Sequence, residues 1–400
     1  MRRVLIVLGV AIAAAFVACR AFWPERLAVN APVIVLLMGA KPPPKSELES
    51  RLKVPDGFSV GLFAEGIPDA RELHFSPTGD LLVSSPREGA VFLLEPDADG
   101  DGRADGSRAL MTGLESPQGL EIIGDWLYVA ENGAVKRVRF DPRARATEGS
   151  IETVLPDLPP GGNHWGKYIR RGPDGWIYLT IGSDCNVCIE VDPRRATIGR
   201  FKDGASDYEI YATGLRNSVG FDWRPADGAM YATDNGRDLL GDDFPPCELN
   251  RIEPGRFYGW PFVNGMGVPD PDFGAKGGAK TAEATSPAHG FGAHTAPLGM
   301  RFYRGNAFPA RYRGQAFVAL HGSWNRTAKS GYKVVLLEWS ADGREIVESD
   351  FLTGFELDEN VIGRPVDVQD GPDGALYVSD DFAGAVYRVV YTGAGRAQSR

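Results

Sequence analysis

The sequence predicts an all-β fold, a six-bladed β-propeller with a long loop insertion on its top face and an N-terminal signal or anchor segment. The first observation is that glycine and proline account for 50 and 29 of the 400 residues, against a usual combined share of about 12%. Both residue types interrupt helices, which disfavours a helical bundle and a doubly wound fold. With 43% hydrophobic residues, the chain can bury a large core.

The second observation is a motif that returns six times after Val54, a Pro/Asp/Gly turn followed by a short apolar and aromatic strand. The Asp-Gly pair supplies a turn with positive φ, and the apolar run packs one blade on the next. Apart from one long gap, the strand centres are about 50 residues apart, a period typical of propeller blades. These centres lie near Leu82, Tyr128, Tyr178, Tyr231, Phe317 and Tyr377.

The long gap, residues 236–300, predicts the loop insertion. It exceeds an ordinary blade connection by about 35 residues, and an excess of that size usually forms a binding or lid loop. Residues 274–286 are rich in Gly, Ala and Lys, so a disordered insertion is the open alternative.

Residues 1–40 are predicted to be a signal peptide or membrane anchor. Two arginines precede an apolar run at residues 4–18, which is the pattern of an export signal and is shorter than the span of about 20 residues that crosses a bilayer. A lipobox-like segment ending at Cys19 and a second apolar patch at residues 33–40 leave three interpretations open: a cleaved signal, a lipoprotein anchor and a retained anchor. All three place the main domain outside the cytoplasm, in the periplasm, either soluble or tethered to the membrane.

The predicted organisation continues with a Pro-rich linker at residues 41–53, the propeller at 54–392 and a tail at 393–400. The Lys-Pro-Pro-Pro-Lys run of the linker is typical of a stiff spacer. The formal net charge is −10, which argues against non-specific binding of nucleic acid.

Cys185 and Cys188 enclose two residues in the segment Cys-Asn-Val-Cys. The pair is compatible with a loop-closing disulfide, a redox pair or half of a zinc site. No βαβ setting for a redox pair is visible, and zinc needs two further ligands, such as His289 and His294. We therefore predict a structural disulfide and a free, buried thiol at Cys247.

An acidic turn follows the first repeat. Asp97, Asp99, Asp101 and Asp105 stand at positions 1, 3, 5 and 9 around glycines, and such oxygen ligands suit calcium. The twelfth position is Arg108 rather than Glu, so this is not a complete EF-hand. A structural calcium site and a solvated acidic turn are both open.

His164 lies in a loop rich in glycine and aromatic residues, 159–166, which leads into the third repeat. A loop histidine with an ordinary pKa of about 6.5 can act as a general base at neutral pH. The alternative is a packed or capped loop residue, and spacing alone does not decide between them.

Six short segments follow one another at plausible blade spacing: Ser116-Pro117-Gln118-Gly119-Leu120, Gly162-Asn163-His164-Trp165-Gly166, Gly172-Pro173-Asp174-Gly175-Trp176-Ile177-Tyr178, Gly214-Leu215-Arg216-Asn217, Tyr258-Gly259-Trp260-Pro261 and Gly363-Arg364-Pro365-Val366-Asp367. In these segments, residues 54–391 resemble the soluble aldose, glucose and sorbosone dehydrogenases that use pyrroloquinoline quinone (PQQ) on a six-bladed propeller. The disulfide candidate together with His321-Gly322-Ser323-Trp324-Asn325-Arg326 is similar to the sorbosone dehydrogenase branch.

The resemblance implies oxidation of an aldose sugar, sorbosone or a related alcohol or aldehyde, with hydride transfer to the quinone. Carried over residue by residue, it implies that His164 takes the hydroxyl proton and that Gln118 binds near the reacting carbonyl. Arg216 is the third implied catalytic residue and clamps the quinone edge together with Asn217. The further cofactor-binding residues that the resemblance implies are Asn163, Arg326 and Arg364.

The resemblance also implies a calcium ion that bridges the cofactor and backbone carbonyls in the loop 235–238, so that Gly236 and Arg237 belong to a metal site. The electron acceptor is expected to be a separate cytochrome or quinone. A haem-attachment motif C-x-x-C-H is absent from the sequence, since Ile189 follows Cys188.

Two departures from the family pattern leave the substrate open: Asn163 stands where glucose-specific members carry an acid, and Cys247 where several relatives carry one. A propeller that has lost turnover is compatible with such changes. Two hypotheses from other classes also remain, a calcium-dependent propeller lactonase or esterase and a non-catalytic exported binding propeller.

Overall fold

The computed structural model describes residues 28–30, 44–204 and 207–393. The predicted signal or anchor segment, including Cys19, lies outside these residues except for 28–30, and the predicted tail lies outside them except for residue 393. Within the described part of the chain, no helix is long and apolar enough to cross a membrane.

Six antiparallel sheets of four strands form the fold, and the innermost strands of adjacent blades contact one another around the axis. From the innermost strand outward, blades 1 to 3 consist of β2 (Leu73–Phe75), β3 (Leu81–Ser85), β4 (Ala90–Leu94) and β5 (Ser107–Met111); β6 (Gly119–Ile123), β7 (Trp126–Ala130), β8 (Val135–Asp141) and β9 (Ala146–Leu155); and β10 (Ile169–Arg171), β11 (Ile177–Ile181), β12 (Thr197–Phe201) and β13 (Glu209–Thr213). Blades 4 to 6 consist of β14 (Phe221–Trp223), β15 (Met230–Asp234), β16 (Pro246–Ile252) and β19 (His289–Ala293); β20 (Pro297–Phe302), β21 (Ala316–Leu320), β22 (Lys333–Trp339) and β23 (Ile346–Leu352); and β26 (Pro365–Asp370), β27 (Leu376–Asp380), β28 (Ala385–Tyr391) and β1 (Phe58–Glu65). A short hairpin of β24 (Glu356–Leu357) and β25 (Asn360–Val361) lies between β23 and β26.

The ring closes through the first strand of the chain. β1 pairs with β28 from Phe58 opposite Tyr391 to Glu65 opposite Ala385, so the two ends of the propeller share blade 6. The Phe58 ring packs edge-on against Phe308 and Phe351, with ring centroids 4.8 and 5.3 Å apart. This closure leaves blade 6 as well paired as the other five blades.

The prediction of a six-bladed all-β propeller is confirmed. The six predicted strand centres fall in the second strand of each blade, namely β3, β7, β11, β15, β21 and β27. In β3, β11, β15, β21 and β27 every residue is buried, because these strands lie inside the sheet between adjacent blades. Such strands read as short, nearly continuous apolar runs, which explains why the sequence revealed them.

The predicted insertion is ordered. Residues 236–300 include the two outer strands of blade 4. The segment between these strands, residues 253–288, contains a hairpin and a short helix: β17 (Val263–Asn264), β18 (Val268–Pro269) and α2 (Ala279–Glu283). Buried Asp270 accepts hydrogen bonds from Arg237 Nη1 at 2.7 and 2.8 Å. This ion pair joins the insertion to the loop that follows β15 and argues against the alternative of a disordered insertion.

Part of the predicted linker is helical. The helix α1 (Lys45–Arg51) follows Pro44, whose fixed φ of −60° suits a helix start. Leu48 and Leu52 are buried in the same apolar cluster as Phe58. This stretch is therefore docked on the propeller rather than held as an extended spacer, because docking removes two leucine side chains from water.

Candidate active site

A cavity of about 440 Å³ opens at one end of the propeller axis. Its walls come from loops that precede the innermost strand of a blade and from loops that join the second strand to the third. Because neighbouring strands are antiparallel, both kinds of loop emerge at the same face. The predicted site residues that line this cavity are Gln118, Asn163, His164, Arg216, Asn217, Gly236 and Arg364.

The backbone contacts around His164 are tight. A Cβ atom added to Gly182 would lie only 2.5 Å from the His164 Cβ, so the glycine at the end of β11 lets the histidine loop approach. The His164 Nδ1 atom lies 3.0 Å from the Ser183 carbonyl oxygen and 2.7 Å from Ser183 Oγ. Since a carbonyl can only accept, Nδ1 carries the proton.

That tautomer leaves the His164 Nε2 lone pair free. Nε2 has no hydrogen-bond partner within the described residues, and the side chain lines the cavity. Burial and, to a lesser extent, the charge of Arg216 lower the pKa of His164 to about 3. His164 is therefore neutral at pH 7, with an unshared base at the cavity.

This low pKa predicts a loss of stability in acid. Below about pH 6.5 the unfolded chain protonates His164, whereas the folded chain does not until near pH 3. The free energy of unfolding is therefore expected to fall as the pH drops below 6.5, because the unfolded state binds more protons. In urea unfolding at several pH values, the free energy of unfolding of His164→Gln should fall less steeply with decreasing pH than that of the wild type, with slopes that differ by up to about 1.4 kcal/mol per pH unit. Equal slopes in the two proteins would contradict the low pKa of His164 in the folded protein.

The Arg216 guanidinium is saturated by protein acceptors. Its Nε donates to the Asn186 carbonyl at 2.9 Å, and its Nη1 donates to the carbonyls of Asn235 and Gly236 at 3.2 and 2.9 Å. Its Nη2 donates to Asn186 Oδ1 at 2.9 Å and to Asp238 Oδ2 at 3.0 Å. Because all five donors are occupied, Arg216 presents its charge to the cavity and has no spare N–H group for a ligand.

Two other arginines retain free donors. The Arg364 guanidinium makes only long bonds, both 3.3 Å, to the carbonyls of His321 and Gly322. Arg71 donates to Asp381 at 2.8 Å, and its buried Nε has no partner among the described residues. Both side chains line the cavity, so they can bind an anion there through charge-assisted hydrogen bonds.

Unpaired oxygens face the same region. Asn235 Oδ1 and Gln118 Oε1 are buried without a hydrogen-bond partner in the described part of the chain. A Cβ added to Gly166 would lie 2.1 Å from Gln118 Oε1, so this glycine makes room for the amide. Together with the Gly236 carbonyl, Asn235 Oδ1 is a hard donor of the kind that calcium prefers.

The match to known proteins decides the family. The family model described as glucose/sorbosone dehydrogenase matches residues 128–388. The chain belongs to this family. The resemblance predicted from the sequence is thereby confirmed.

Relatives of this glucose/sorbosone dehydrogenase family member are distant. An uncharacterized protein of Borreliella burgdorferi is 33% identical over 363 residues, which are 86% of this chain and 92% of that protein. The PQQ-dependent pyranose dehydrogenase of Coprinopsis cinerea is 26% identical over 413 aligned positions, and the match covers 84% of this chain but 54% of that enzyme. The holo structure of the PQQ domain of the Coprinopsis enzyme has a TM-score of 0.72 at 23% identity, covering 88% of this chain and 99% of that domain. The similarity to this solved structure shows the propeller fold.

Two arginines predicted to belong to the site point away from the cavity. Arg237 donates to Asp270 and, at 3.1 Å, to Asp272. Arg326 donates to the Asp242 carbonyl at 2.5 Å and to Asp243 at 2.9 Å. Neither arginine lines the cavity, because nearby acceptors in neighbouring loops hold both guanidinium groups.

The acidic turn lies at the opposite end of its blade, between β4 and β5. The carboxylates of Asp97, Asp99 and Asp101 lie within 4.8 Å of one another. Asp97 accepts from Arg388 at 2.8 Å, and Asp105 accepts from a backbone N–H within the turn at 3.2 Å. A calcium site here stays a prediction, separate from the cavity.

The cysteine predictions are confirmed. Cys185 and Cys188 form a disulfide, and Cys247 is a free, buried thiol. The disulfide excludes zinc binding by these two sulfurs. Cys247 also lines the cavity.

Several cavity residues were missed by sequence reasoning. Arg71 precedes β2 as an isolated charge with no motif around it. Asp238 lay within the predicted calcium loop and His321 within a quoted segment, but neither was assigned a role. His321 Nε2 lies 2.9 Å from both oxygens of Asp381, a contact between two blades that no local pattern predicts.

Proposed function

We propose that the protein is a PQQ-dependent oxidoreductase that oxidises an aldose sugar, sorbosone or a related alcohol or aldehyde. The observation that carries the proposal is His164, a neutral base whose Nε2 is free in a cavity that also holds arginines with spare donors. Membership of the glucose/sorbosone dehydrogenase family supports an oxidation of sugars. The pyranose dehydrogenase relative is itself described as PQQ-dependent.

The cavity fits an anionic cofactor. PQQ is a tricarboxylate, and guanidinium groups bind carboxylates in a planar, bidentate manner. Arg364 and Arg71 have free donors for this purpose, while Arg216 contributes a buried positive charge. When bound, PQQ supplies the hydride acceptor.

The residues near the loop 235–238 fit a calcium ion. Asn235 Oδ1 is unpaired and buried, and Gly236, whose carbonyl also accepts from Arg216 Nη1, lies in the cavity wall. These two oxygens are the proposed protein ligands, and the ion supplies Lewis-acid polarisation.

His164 is the proposed base for the substrate hydroxyl. Nε2 accepts the proton, and Nδ1–H keeps its hydrogen bond to Ser183 throughout, which holds the ring in place. The nearby Asp238 carboxylate favours the protonated ring, whereas Arg216 opposes it. The imidazolium is therefore short-lived, and the base is regenerated for the next turnover.

The lactonase alternative is not favoured by the side chains of the cavity. In the described ranges, the groups of three or more His, Cys, Asp or Glu residues close enough to share a metal are Cys185 with Cys188 and Glu190, and Asp97 with Asp99 and Asp101. The first contains the disulfide, and the second lies at the other end of the blade. A central metal held by several carboxylates is therefore unsupported.

We further propose that the enzyme acts outside the cytoplasm and passes electrons to a separate cytochrome or quinone. The export-like first 18 residues support the location. The lack of a haem-attachment motif in the sequence supports a separate acceptor.

The decisive test is reconstitution of the full chain with PQQ and Ca²⁺. Cofactor binding is read from the change in protein fluorescence, and turnover from dye reduction across aldoses, sorbosone and simple alcohols. Sugar-dependent dye reduction that needs PQQ is the expected result. Binding without turnover on any substrate would indicate a degenerate site. Absence of binding would overturn the proposal and favour a non-catalytic binding propeller.

A further inference from the structure

The four-residue loop from Cys185 to Cys188, here called the disulfide loop, lies directly behind the base and the buried arginine. It follows β11 and is closed by its disulfide. Its residues contact both Arg216 and the loop 235–238, and its first carbonyl contacts Ser183. Nothing in the proposed chemistry uses the sulfur atoms, so the role of the loop needs a separate explanation.

Asn186 joins three parts of the site through one amide. Its Oδ1 accepts from Arg216 Nη2 at 2.9 Å and from the Asp238 backbone N–H at 2.8 Å. Its Nδ2 donates to the Asp238 carbonyl at 3.1 Å, and its own carbonyl accepts from Arg216 Nε at 2.9 Å. Asn186 therefore supplies two of the five acceptors that hold the guanidinium and also ties down the loop 235–238.

Cys185 acts on the base through a serine. Ser183 Oγ–H donates to the Cys185 carbonyl at 2.9 Å. Because the hydroxyl proton points to the Cys185 carbonyl, the Ser183 Oγ atom accepts the Nδ1–H hydrogen bond of His164 at 2.7 Å. The Cys185 carbonyl thereby fixes the direction of the Ser183 hydroxyl and reinforces the Nδ1–H tautomer that the Ser183 carbonyl already sets.

The disulfide is the covalent constraint on both contacts. Closing a short loop removes conformational freedom from its residues, and the residues from Cys185 to Cys188 are only partly buried, with exposed Ile189 immediately after them. Packing alone therefore gives weak support to this segment. Without the bond, the Cys185 carbonyl and the Asn186 amide can move independently.

We propose that the disulfide loop is a positioning element of the active site, in which Asn186 holds Arg216 and the loop 235–238 while the Cys185 carbonyl, through the Ser183 hydroxyl, strengthens the hydrogen bonding that holds the His164 ring. The proposal rests on the proposed function for its kinetic consequence, but its structural consequence is measurable without cofactor or substrate. Asn186 and Cys185 act through other residues and do not touch the reacting atoms.

The first experiment follows the histidine rings of the cofactor-free full chain by NMR after selective histidine labelling. The chain has five histidines, and His164→Gln assigns the signal of His164. The wild-type protein is expected to show the Nδ1–H tautomer and no protonation of His164 between pH 5 and 8. In Cys185→Ser/Cys188→Ser, the Nδ1–H signal of His164 is expected to shift and broaden as the Ser183 hydroxyl loses its fixed direction, and protonation is expected to move toward the ordinary histidine range.

Asn186 variants test the second contact. Asn186→Ala removes one Arg216 acceptor and both amide bonds to Asp238, so the guanidinium is expected to shift and protonation of His164 to become easier. Asn186→Asp keeps the oxygen acceptors and is expected to restore the wild-type signal in part. Val187→Ala is the matched control, because it lies in the same loop and its side chain makes none of these hydrogen bonds.

Kinetics and stability complete the test. In the reconstituted enzyme, kcat is expected to fall about tenfold in the disulfide-free and Asn186→Ala variants, with an altered pH profile and little change in KM. If the disulfide-free variant fails to fold, the Asn186→Ala and Asn186→Asp variants test the positioning role. An unchanged His164 ring signal and titration in the folded variants would overturn the positioning role. An altered ring signal in a protein that oxidises no sugar would instead contradict the proposed function and leave the positioning role standing.

Discussion

Replacing His164 by alanine is expected to lower kcat on the sugar substrate by at least about 10²-fold while PQQ still binds. The physical reason is that Nε2 is the unshared, neutral nitrogen at the cavity, whereas the arginines with free donors for the cofactor carboxylates are separate residues. The measurement is kcat by dye reduction, with the Kd for PQQ from fluorescence titration of the same preparation. Added imidazole is expected to restore part of the rate, because it fits the space that the ring vacates.

His289→Ala is the matched control for the loss of a histidine. His289 lies on the outermost strand of blade 4, with Nε2 2.9 Å from Glu348, and it does not line the cavity. This variant is expected to retain full turnover. If His164→Ala keeps more than a tenth of the wild-type kcat, the base is another group, and His321 is then the next residue to replace, because it also lines the cavity.

Replacing Arg364 by alanine is expected to weaken PQQ binding by about 10²-fold. Hydrogen bonds to charged groups contribute about 1.5–3 kcal/mol each, and Arg364 has donors that the protein satisfies only through two bonds of 3.3 Å. Arg364→Lys keeps the charge but not the planar fork, so it is expected to recover only part of the affinity. The measurement is the Kd for PQQ at fixed calcium and salt.

Arg139→Ala serves as the control for removing a positive charge. Arg139 lies on β8, its side chain is 55% exposed and its carboxylate partner Asp125 is 3.8 Å away. Its removal is expected to leave the Kd unchanged. A Kd for Arg364→Ala within threefold of wild type would show that the cofactor carboxylates are bound by other groups, with Arg71 the leading one.

The propeller was predictable because its signal is local and repeated. Each second strand lies inside a blade and is buried on both faces, so a short apolar run such as Leu81–Ser85 or Leu376–Asp380 stands out between turn residues. The helix α1 was not predicted, since the prolines before it suggested a spacer. Its order depends on Leu48 and Leu52 finding a buried cluster contributed by distant strands.

The candidate site was predictable where a residue belonged to a recognisable segment. Gln118, His164, Arg216 and Arg364 lie in four different loops and meet in one cavity. Arg326 and Arg237 lie in equally plausible loops, but Asp243 and Asp270 hold their guanidinium groups away from it. The direction in which a long arginine side chain points depends on acceptors that are remote in sequence.

By itself, the sequence determined the number of blades, the family resemblance, the disulfide and the loop that carries His164. These properties depend on short patterns, because a buried strand, a turn or a paired cysteine motif is set by neighbours along the chain. Only the tertiary structure decided the protonation state of His164, the saturation of Arg216 and the free donors of Arg71 and Arg364. Those properties depend on burial, charge and hydrogen-bond geometry, which arise only when loops from different blades converge on one axis.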